Sequence, residues 1–260
     1  MIKYRLMSSE ELEKVVCIAV VRDYDRYRMC FDENPHVEKC ERVLLDNCAE
    51  NLPIPVRYNA FLNRYDYSNP AWFVFAHEDF EIRDDLAKKL NGCDKNSLWS
   101  PIGCYRQSVF GIGRQRYVGT IYDANRKTGV GLILQGRPVK KGTKVETFDC
   151  CCFIVHSSLV QKCNLRFDER LSFDLYVEDF CASAWVNHGI ASRILPFESV
   201  HYSLSVPQDR YYRHLPYLRS KYPHNCFVGT CSYFGTMPLM MRIQRWLMGR
   251  ANDDRLKGLY

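Results

Sequence analysis

The sequence predicts an α/β fold with a mostly parallel central sheet. The run Val15–Val21 is apolar throughout, contains several β-branched residues and is followed by Arg22 and Asp23, which is typical of a strand buried on both faces. Similar short runs occupy 42–47 and 72–76, and segments of helical length separate the three. Because parallel strands need such crossover segments, we expect βαβ units with helices covering both faces of one sheet.

Further elements follow in chain order. Residues 24–39 are polar and predict partial helix, residues 57–65 predict a helix between the second and third strands, and residues 150–155 predict another strand. Apolar positions with helical spacing over 180–188 end at Gly189, which predicts a helix with a glycine stop.

Residues 101–144 are rich in glycine, arginine and lysine. Gly111 and Gly113 lack both the third glycine and the preceding parallel strand of a dinucleotide-binding loop. The composition therefore predicts a mobile basic surface loop rather than a phosphate-binding loop.

Length and composition predict one globular domain with a full core, because the chain has 260 residues of which 47% are hydrophobic. The net charge of +6 is spread along the chain, which fits an anionic small molecule or a negatively charged membrane surface and argues against nucleic acid. Thirteen cysteines, an odd number, and a start without an apolar leader predict free thiols in a reducing cytosol. The run 150–152 has no second cysteine pair to complete a zinc site, so buried thiols are expected there.

Polar residues come directly after the third predicted strand. His77, Glu78 and Asp79 follow it with no intervening loop, and ligands of parallel sheets bind at the carboxyl ends of the strands. On an extended segment His77 and Asp79 would share one face, where they could coordinate Mg²⁺ or Mn²⁺. The alternative is a polar strand end that meets solvent. Likewise, Glu178 and Asp179 could be functional or could merely cap the helix that follows them.

Several short motifs together resemble one family. The stretch from Tyr58 to Asn63, then 72–82 with its His-Glu-Asp, and the later motifs Phe167-Asp-Glu, Val177-Glu-Asp and Val200-His resemble bacterial glycosyltransferase-like proteins related to glycosyltransferase family 2. This resemblance implies the GT-A fold, a three-layer α/β/α sandwich that binds nucleotide sugars. It further implies a role in capsule or other surface polysaccharide assembly.

The resemblance also implies roles for individual residues on the donor side. Asp79 matches the family's metal-ligating acid, His77 stands where the first acid of that motif usually stands, and His201 matches a late histidine near the metal or diphosphate. The other positions that it assigns to donor or nucleotide binding are Ala19, Val21, Asp23, Asp46, Asn59 and Glu78.

On the acceptor side, Asp179 resembles the family's general base, which takes the proton of the attacking hydroxyl. Glu178 would orient the site, although the two residues could exchange roles. Asp149 resembles an acid on the acceptor-side strand, but Cys150 replaces the glycine that usually follows it.

The domain organisation predicted is a single GT-A-like domain over 1–232, with a nucleotide-sugar half at about 13–100 and an acceptor half at about 145–232. Residues 233–260 have apolar positions at helical spacing with arginines among them, which predicts an amphipathic basic helix and tail. That helix could contact an anionic membrane, pack back on the domain or form a dimer contact.

The expected function is a metal-assisted, inverting transfer of a sugar from a nucleoside-diphosphate sugar to a glycan or lipid-linked acceptor, with Mn²⁺ or Mg²⁺ as cofactor. The expected location is the cytoplasm, at the inner face of the membrane if the tail binds lipid. A metal-dependent phosphohydrolase and a non-catalytic sugar-nucleotide or glycan-binding protein are the alternatives.

Overall fold

The structure is a computed structural model that describes residues 12–109, 112–125, 130–203 and 209–236, together with Leu239 and Ile243. The strands assigned in this part of the chain are β1 Val15–Val21, β2 Glu41–Asp46, β3 Trp72–Ala76, β4 Phe80–Ile82, β5 Leu98–Ser100, β6 Ile102–Val109, β7 Ile112–Ala124, β8 Leu132–Arg137, β9 Lys144–Val145, β10 Thr147–Phe148, β11 Cys152–His156, β12 Ser192–Ile194, β13 Ser199–His201, β14 Cys226–Val228 and β15 Tyr233–Gly235.

The α-helices are α1 Tyr24–Tyr27, α2 Ile54–Arg64, α3 Leu86–Leu90, α4 Ser157–Cys163, α5 Tyr176–His188 and α6 Asp209–Lys221. A π-helix at Arg28–Asp32 and a 3₁₀ helix at Pro35–Val37 follow α1, as the polar, partly helical segment predicted. The predicted stop of α5 is confirmed, because Gly189 adopts the left-handed conformation (φ 67°) that helix ends favour.

The central sheet has the order β2-β1-β3-β11-β5-β12-β9. The predicted α/β class is confirmed, but the sheet is mixed rather than mostly parallel. Strand β1 pairs in parallel with β2 and β3, and β5 pairs in parallel with β12. Strand β11 runs antiparallel to β3 and β5, and β9 runs antiparallel to β12. The chain enters β11 from a short turn after β10, a strand of the other sheet, so no crossover helix leads into β11 as in a βαβ unit.

Two hydrophobic clusters cover the faces of this sheet, and β1 contributes alternately to both. Val16, Ile18 and Val20 pack with α2, α4, α5 and α6, whereas Cys17, Ala19 and Val21 pack with the segment after α1 and with α3. The helices and the second sheet thus sandwich the central sheet, as expected for layered α/β domains.

A second sheet, of order β10-β6-β7-β13-β4 with β8 on β7, corrects the prediction of a mobile loop over 101–144. Most of that segment forms the antiparallel strands β6, β7 and β8. Glycines often indicate loops in a sequence, but here some of them adopt positive φ angles within the strands. Gly119 has φ +80°, and a Cβ there would lie 1.9 Å from the Pro101 carbonyl oxygen.

The C-terminal part of the described chain is a hairpin of β14 and β15. Phe234 of β15 is buried in the core, and this hairpin continues past residue 232, where the sequence analysis places the end of the domain. The predicted amphipathic helix lies outside the described residues, apart from the exposed side chains of Leu239 and Ile243. None of the helices in the described part of the chain has both the length and the apolar character needed to cross a bilayer.

All thirteen cysteines are free thiols, in agreement with the prediction. Eight of them, including Cys151 and Cys152, are buried in the core.

Candidate active site

A cavity of about 590 Å³ opens beside the carboxyl ends of β1 and β3. Its walls come from both sheets, from the N-terminal turn of α5, from the start of α6 and from the loop between β14 and β15. The lining side chains that matter below are Val20, Arg22, Asn47, His77, Glu78, Asp79, Asp123, Gln135, Asp149, Cys150, Asp174, Leu175, Glu178, His201, Arg210, Tyr211, Thr230 and Cys231.

Potential metal ligands meet at one end of this cavity. One ligand atom from each of His77, Asp79 and His201 can be chosen so that all three lie within 4.8 Å of one another. The segment after β3 is a tight turn, in which the Phe80 amide donates to the His77 carbonyl (3.0 Å), and not the extended strand that the sequence predicted. The turn and the pairing of β4 with β13 bring His201 to the other two.

The charges around His201 are strongly coupled. Its Nε2 lies 3.4 Å from Asp79 Oδ1, and its Nδ1 lies 3.4 Å from Asp123 Oδ1. Burial alone would lower the pKa of His201, but Asp123 and Asp79 raise it to about 10. Burial would likewise raise the pKa of Asp79, and the interaction with His201 instead lowers it to about 2.

The donor set fits a divalent cation. His201 Nε2 is buried and makes no hydrogen bond within the described structure, despite facing a carboxylate. The Tyr176 hydroxyl lies 2.9 Å from His77 Nε2 and 3.1 Å from the Cys150 carbonyl oxygen. In the tautomer that donates from Nε2 to this hydroxyl, the Nδ1 atom of His77 keeps its lone pair. Once a cation displaces the proton from His201 Nε2, two imidazoles and one carboxylate form a ligand set that suits Mn²⁺ and comparable ions.

Asp149 lies on the cavity wall, where the Tyr117 hydroxyl donates to its Oδ2 (2.8 Å) and the Cys151 amide to its Oδ1 (2.9 Å). Burial alone would raise its pKa, but the charge of His201 and these hydrogen bonds lower it. Asp149 therefore adds negative charge at the metal-ligand end of the cavity, whereas the resemblance assigned it to the acceptor.

Glu178 lies on the wall of the same cavity and is 1% exposed. The Cys150 thiol donates to its Oε2 (2.9 Å), and the Thr230 hydroxyl donates to its Oε1 (3.0 Å). Burial raises the pKa of Glu178 to about 7. The side chain is thus oriented by two donors and can exchange a proton near neutral pH.

Asp179, to which the resemblance gave the role of general base, is not among the residues that line the cavity. Lys221 Nζ is 2.7 Å from its Oδ2, and the Tyr222 hydroxyl donates to its Oδ1 (2.7 Å). Burial raises the pKa of Asp179, and the ion pair with Lys221 opposes that shift. Both carboxylate oxygens are engaged inside the protein, so of the two adjacent acids only Glu178 is available to a bound substrate.

The first turn of α5 is fixed by an unusual backbone conformation. Leu175 precedes the helix with φ 65° and ψ −1°, in the left-handed region that a bulky residue rarely adopts, and is 1% exposed. Directly after it, Tyr176 contacts His77 and Cys150, as described above. Strained residues of this kind persist where the surrounding structure fixes them, and they are frequent at functional sites.

Only some of the residues predicted to bind the donor line the cavity. Ala19 and Val21 point into the core, and it is Val20 and Arg22 that line the cavity at the end of β1. Glu78 lines the cavity, and its Oε2 accepts from the backbone amides of Arg22 (2.5 Å) and Asp23 (2.9 Å).

Three further positions lie off the cavity wall. Asp23 caps α1 by accepting from the Arg26 amide, and exposed Asp46 accepts from the Cys48 amide (3.0 Å). Asn59 is buried in α2, where its amide exchanges hydrogen bonds with the backbone of Phe167 (both 3.0 Å), so it holds the fold together.

Sequence reasoning missed several residues that line the cavity. Asp123 lies in the segment that the sequence analysis interpreted as a loop. Asn47 directly follows Asp46, the residue to which the resemblance assigned donor binding. Tyr211 and Thr230 lie in parts of the sequence with no motif. The Tyr211 hydroxyl is buried and makes no hydrogen bond within the described structure. A period-two pattern around 121–123 was the one sequence signal that could have identified Asp123.

No protein-family model matches the sequence, and no curated protein does either. Among solved structures, the chain is similar to GalNAc-T7 with UDP, GalNAc and Mn²⁺, with a TM-score of 0.51 and 9% identity over 82% of this chain and 49% of that one. It is also similar to S. aureus TarS 1–349 in complex with UDP-GlcNAc, with a TM-score of 0.50 and 12% identity over 94% of this chain and 76% of that one. The chain thus spans about half the length of the GalNAc-T7 chain. At these identities the similarity establishes the fold, and the predicted GT-A type is confirmed.

Proposed function

We propose that this chain is a glycosyltransferase that moves a sugar from a nucleoside-diphosphate sugar to an acceptor hydroxyl, with inversion and with Mn²⁺ or Mg²⁺ as cofactor. The observation that carries the proposal is the presence of His77, Asp79 and His201 at one end of a single cavity that Glu178 also lines. The fold is that of GalNAc-T7, solved with UDP, GalNAc and Mn²⁺, and of TarS, solved with UDP-GlcNAc.

In the proposed reaction, His77, Asp79 and His201 would hold the cation, and Asp123 and Asp149 would add negative charge around it. The cation would neutralise charge that develops on the departing diphosphate. Arg22, at the end of β1, lies on the cavity wall beside Glu78, which fixes the backbone there. We propose that the nucleotide of the donor binds along this wall.

Glu178 is the proposed base. A sugar hydroxyl attacks efficiently only if its proton can leave in the transition state, and a carboxylate with a pKa near the working pH suits that task. Cys150 and Thr230 hold the carboxylate in place. Asp179 supports this arrangement from behind by fixing the first turn of α5 to Lys221. The acceptor that we propose is a glycan or lipid-linked saccharide of a surface polysaccharide, reached at the cytoplasmic face of the membrane.

The first test is a thermal-shift screen of wild-type protein against nucleoside diphosphates and their sugars, with and without Mn²⁺. A ligand at about a hundred times its dissociation constant stabilises a protein by roughly 2.7 kcal/mol. We expect a metal-dependent shift with one nucleotide that is lost in Asp79→Ala. Asp25→Ala is the control, because Asp25 is an exposed aspartate of α1. No shift with any nucleotide, in a protein that unfolds cooperatively, would overturn the donor-site assignment.

The second test separates transfer from the alternatives. With the donor identified, we expect Glu178→Gln to keep the nucleotide-dependent shift and to lose at least about a hundredfold in sugar transfer. Diphosphate release that is the same with and without acceptors would indicate a phosphohydrolase instead. A nucleotide-dependent shift without turnover on any acceptor would indicate a binding protein.

A further inference from the structure

The hydroxyl of Tyr211 is a buried polar group at the cavity. Tyr211 lies near the start of α6, is 3% exposed and lines the cavity. Its ring belongs to the hydrophobic core together with Leu215 and Leu218, and the ring of Tyr212 lies 5.2 Å from it. Its hydroxyl makes no hydrogen bond within the described structure. Because buried polar atoms nearly always have a partner, this hydroxyl is expected to bind a ligand in the cavity.

The wall next to Tyr211 is held in place from two sides. Gln115 of β7 donates from Nε2 to the carbonyls of Gly229 (2.6 Å) and Thr230 (2.7 Å), which fixes the loop between β14 and β15. A Cβ built on Gly229 would lie 3.7 Å from Glu178 Oε1, so the loop backbone packs against this carboxylate. The Thr230 hydroxyl also donates to Glu178. The proposed base therefore lies in a rigid part of the cavity wall.

The Tyr211 hydroxyl lies on the same side of the cavity as Glu178. Burial raises the pKa of Tyr211 well above its ordinary value, and nearby Cys231, Glu178 and Cys150 raise it further. Charges shift a pKa in this way only when they are near the ionising atom. Tyr211 thus presents a neutral hydroxyl that can donate one hydrogen bond close to the proposed base.

The charge of the wall disfavours an anionic acceptor. Two arginines of the described wall, Arg22 and Arg210, face an excess of acids. Arg210 is already paired with Asp174 and lies over the Phe173 ring. An anionic group beside Glu178 would be repelled, whereas a neutral hydroxyl can accept from Tyr211 or donate to Glu178. The acids that line the described wall are Glu78, Asp79, Asp123, Asp149, Asp174 and Glu178.

We propose that the acceptor presents an uncharged sugar ring to the wall around Glu178, and that the Tyr211 hydroxyl donates a hydrogen bond to one hydroxyl of this ring. This inference rests on the proposed function, because it concerns the acceptor of the same reaction. A second hydroxyl of the ring attacks the anomeric carbon of the donor and passes its proton to Glu178. The new glycosidic bond forms as the bond to the diphosphate breaks, and the diphosphate leaves with the electron pair. Tyr211 selects the acceptor, because a site built to bind a hydroxyl rejects an analogue that lacks it.

The test uses the donor found in the thermal-shift screen and a panel of p-nitrophenyl glycosides as acceptors. The neutral members carry glucose, galactose or N-acetylglucosamine, and the anionic members carry glucuronic or galacturonic acid. Each acid differs from its neutral counterpart only in the carboxylate. We expect kcat/KM to be at least about tenfold higher for the neutral member of each pair that is used. Saturation-transfer NMR with the nucleoside diphosphate and Mn²⁺ measures glycoside binding independently of turnover.

Variants then test the role of Tyr211. Tyr211→Phe should lower kcat/KM for the best neutral glycoside at least about tenfold and leave the nucleotide-dependent thermal shift unchanged. Tyr212→Phe is the matched control, because Tyr212 follows Tyr211 in α6 and is not among the residues that line the cavity. It should transfer like wild type. One deoxy analogue of the acceptor should lose about tenfold with wild type and little with Tyr211→Phe, since both changes remove the same hydrogen bond.

Three results would overturn the inference while leaving the donor site intact. One is equal kcat/KM for wild type and Tyr211→Phe, with both proteins folded by circular dichroism. Another is equal or better use of the anionic glycosides, which would indicate an acidic acceptor. The third is a nucleotide-dependent thermal shift without binding of any neutral glycoside by NMR. Absence of a shift with every nucleotide would instead overturn the proposed function, and this inference with it, so the two failures are distinguishable.

Discussion

Asp179, which is buried, and Lys221, which is partly exposed, form an ion pair that joins the first turn of α5 to the end of α6, with 2.7 Å between Oδ2 and Nζ. Lys221 is shared with Asp168, whose Oδ2 is 2.8 Å from the same ammonium group. Lys221 thus bridges two acids behind the cavity, and Arg170 supplies a second positive charge to Asp168. The adjacent Glu178 belongs to a different environment, in which its donors are uncharged.

The first prediction concerns Asp179→Asn. We expect the free energy of unfolding to fall by about 2 kcal/mol, because a charged hydrogen-bond partner of Lys221 is lost. Chemical denaturation measures the loss, and Glu198→Gln, an exposed acid, is the control. At a temperature where both proteins are folded, transfer by Asp179→Asn should stay within a few-fold of wild type. A fully stable but inactive Asp179→Asn protein would return the base role to Asp179.

The second prediction is that Glu178→Gln stabilises the protein at alkaline pH. The pKa of Glu178 is raised from 4.5 to about 7, so the folded state binds more protons than the unfolded state between these values, and stability from this group falls as pH rises through that window. Removing the ionisable group should therefore raise the free energy of unfolding by roughly 1 to 3 kcal/mol at pH about 8. It should give no such gain at pH about 4.5. Equal effects at both pH values would contradict the burial of an ionised Glu178.

A third prediction follows for the pH dependence of transfer. The proposed base acts only when ionised, so kcat/KM should increase with pH up to a limb near 7, which is the pKa of Glu178 in the free protein. A pH profile with the identified donor and a saturating acceptor measures it. A limb near 4 would show that the reaction depends on an ordinary exposed carboxylate instead.

The fourth prediction uses one substitution at two tyrosines. The Tyr211 hydroxyl is buried without a hydrogen bond in the described structure, so Tyr211→Phe should leave the free energy of unfolding unchanged or raise it by up to about 1 kcal/mol. Tyr58 donates to the Ala76 carbonyl (3.3 Å), so Tyr58→Phe should lower it by a similar amount. Denaturation of both variants gives the comparison. A clear loss of stability in Tyr211→Phe would show that its hydroxyl has an internal partner.

The fifth prediction compares two glycines with almost the same backbone torsion. Gly119 (φ +80°) lies against the Pro101 carbonyl, whereas nothing lies within 4 Å of a Cβ built on Gly131 (φ +81°). We expect Gly131→Ala to cost about 1 kcal/mol for the torsion alone. Gly119→Ala should cost more than about 3 kcal/mol, because the strands must separate as well. Similar losses for the two variants would contradict the close approach at Gly119.

Much of the fold could be predicted because β1, β3 and α5 carry strong local patterns. The second sheet could not, since its strands contain glycines with positive φ that resemble loop residues in a sequence. The pairing between 102–109 and 112–124 depends on tertiary contacts, which local β-propensity does not determine.

In the candidate site, too, local sequence patterns do not determine which of two adjacent residues faces the cavity. Adjacent positions on a helix point about 100° apart, and here Glu178 faces the cavity whereas Asp179 faces Lys221. Which one does so depends on where α5 begins, and the left-handed Leu175 sets that start. The grouping of His77, Asp79 and His201 also depends on the pairing of β4 with β13, more than a hundred residues apart in the chain.

The backbone torsion at Leu175 affects two parts of the cavity, the candidate metal site and the proposed base. Tyr176, one residue on, contacts the candidate metal ligand His77, and Glu178, three residues on, is the proposed base. Both groups lie on α5, so rotation at residue 175 would shift them together relative to His77, and the position of the proposed base against the candidate metal ligands depends on this one torsion. A substitution at residue 175 would therefore change the distance from the proposed base to the candidate metal ligands without altering any group that takes part in the proposed chemistry.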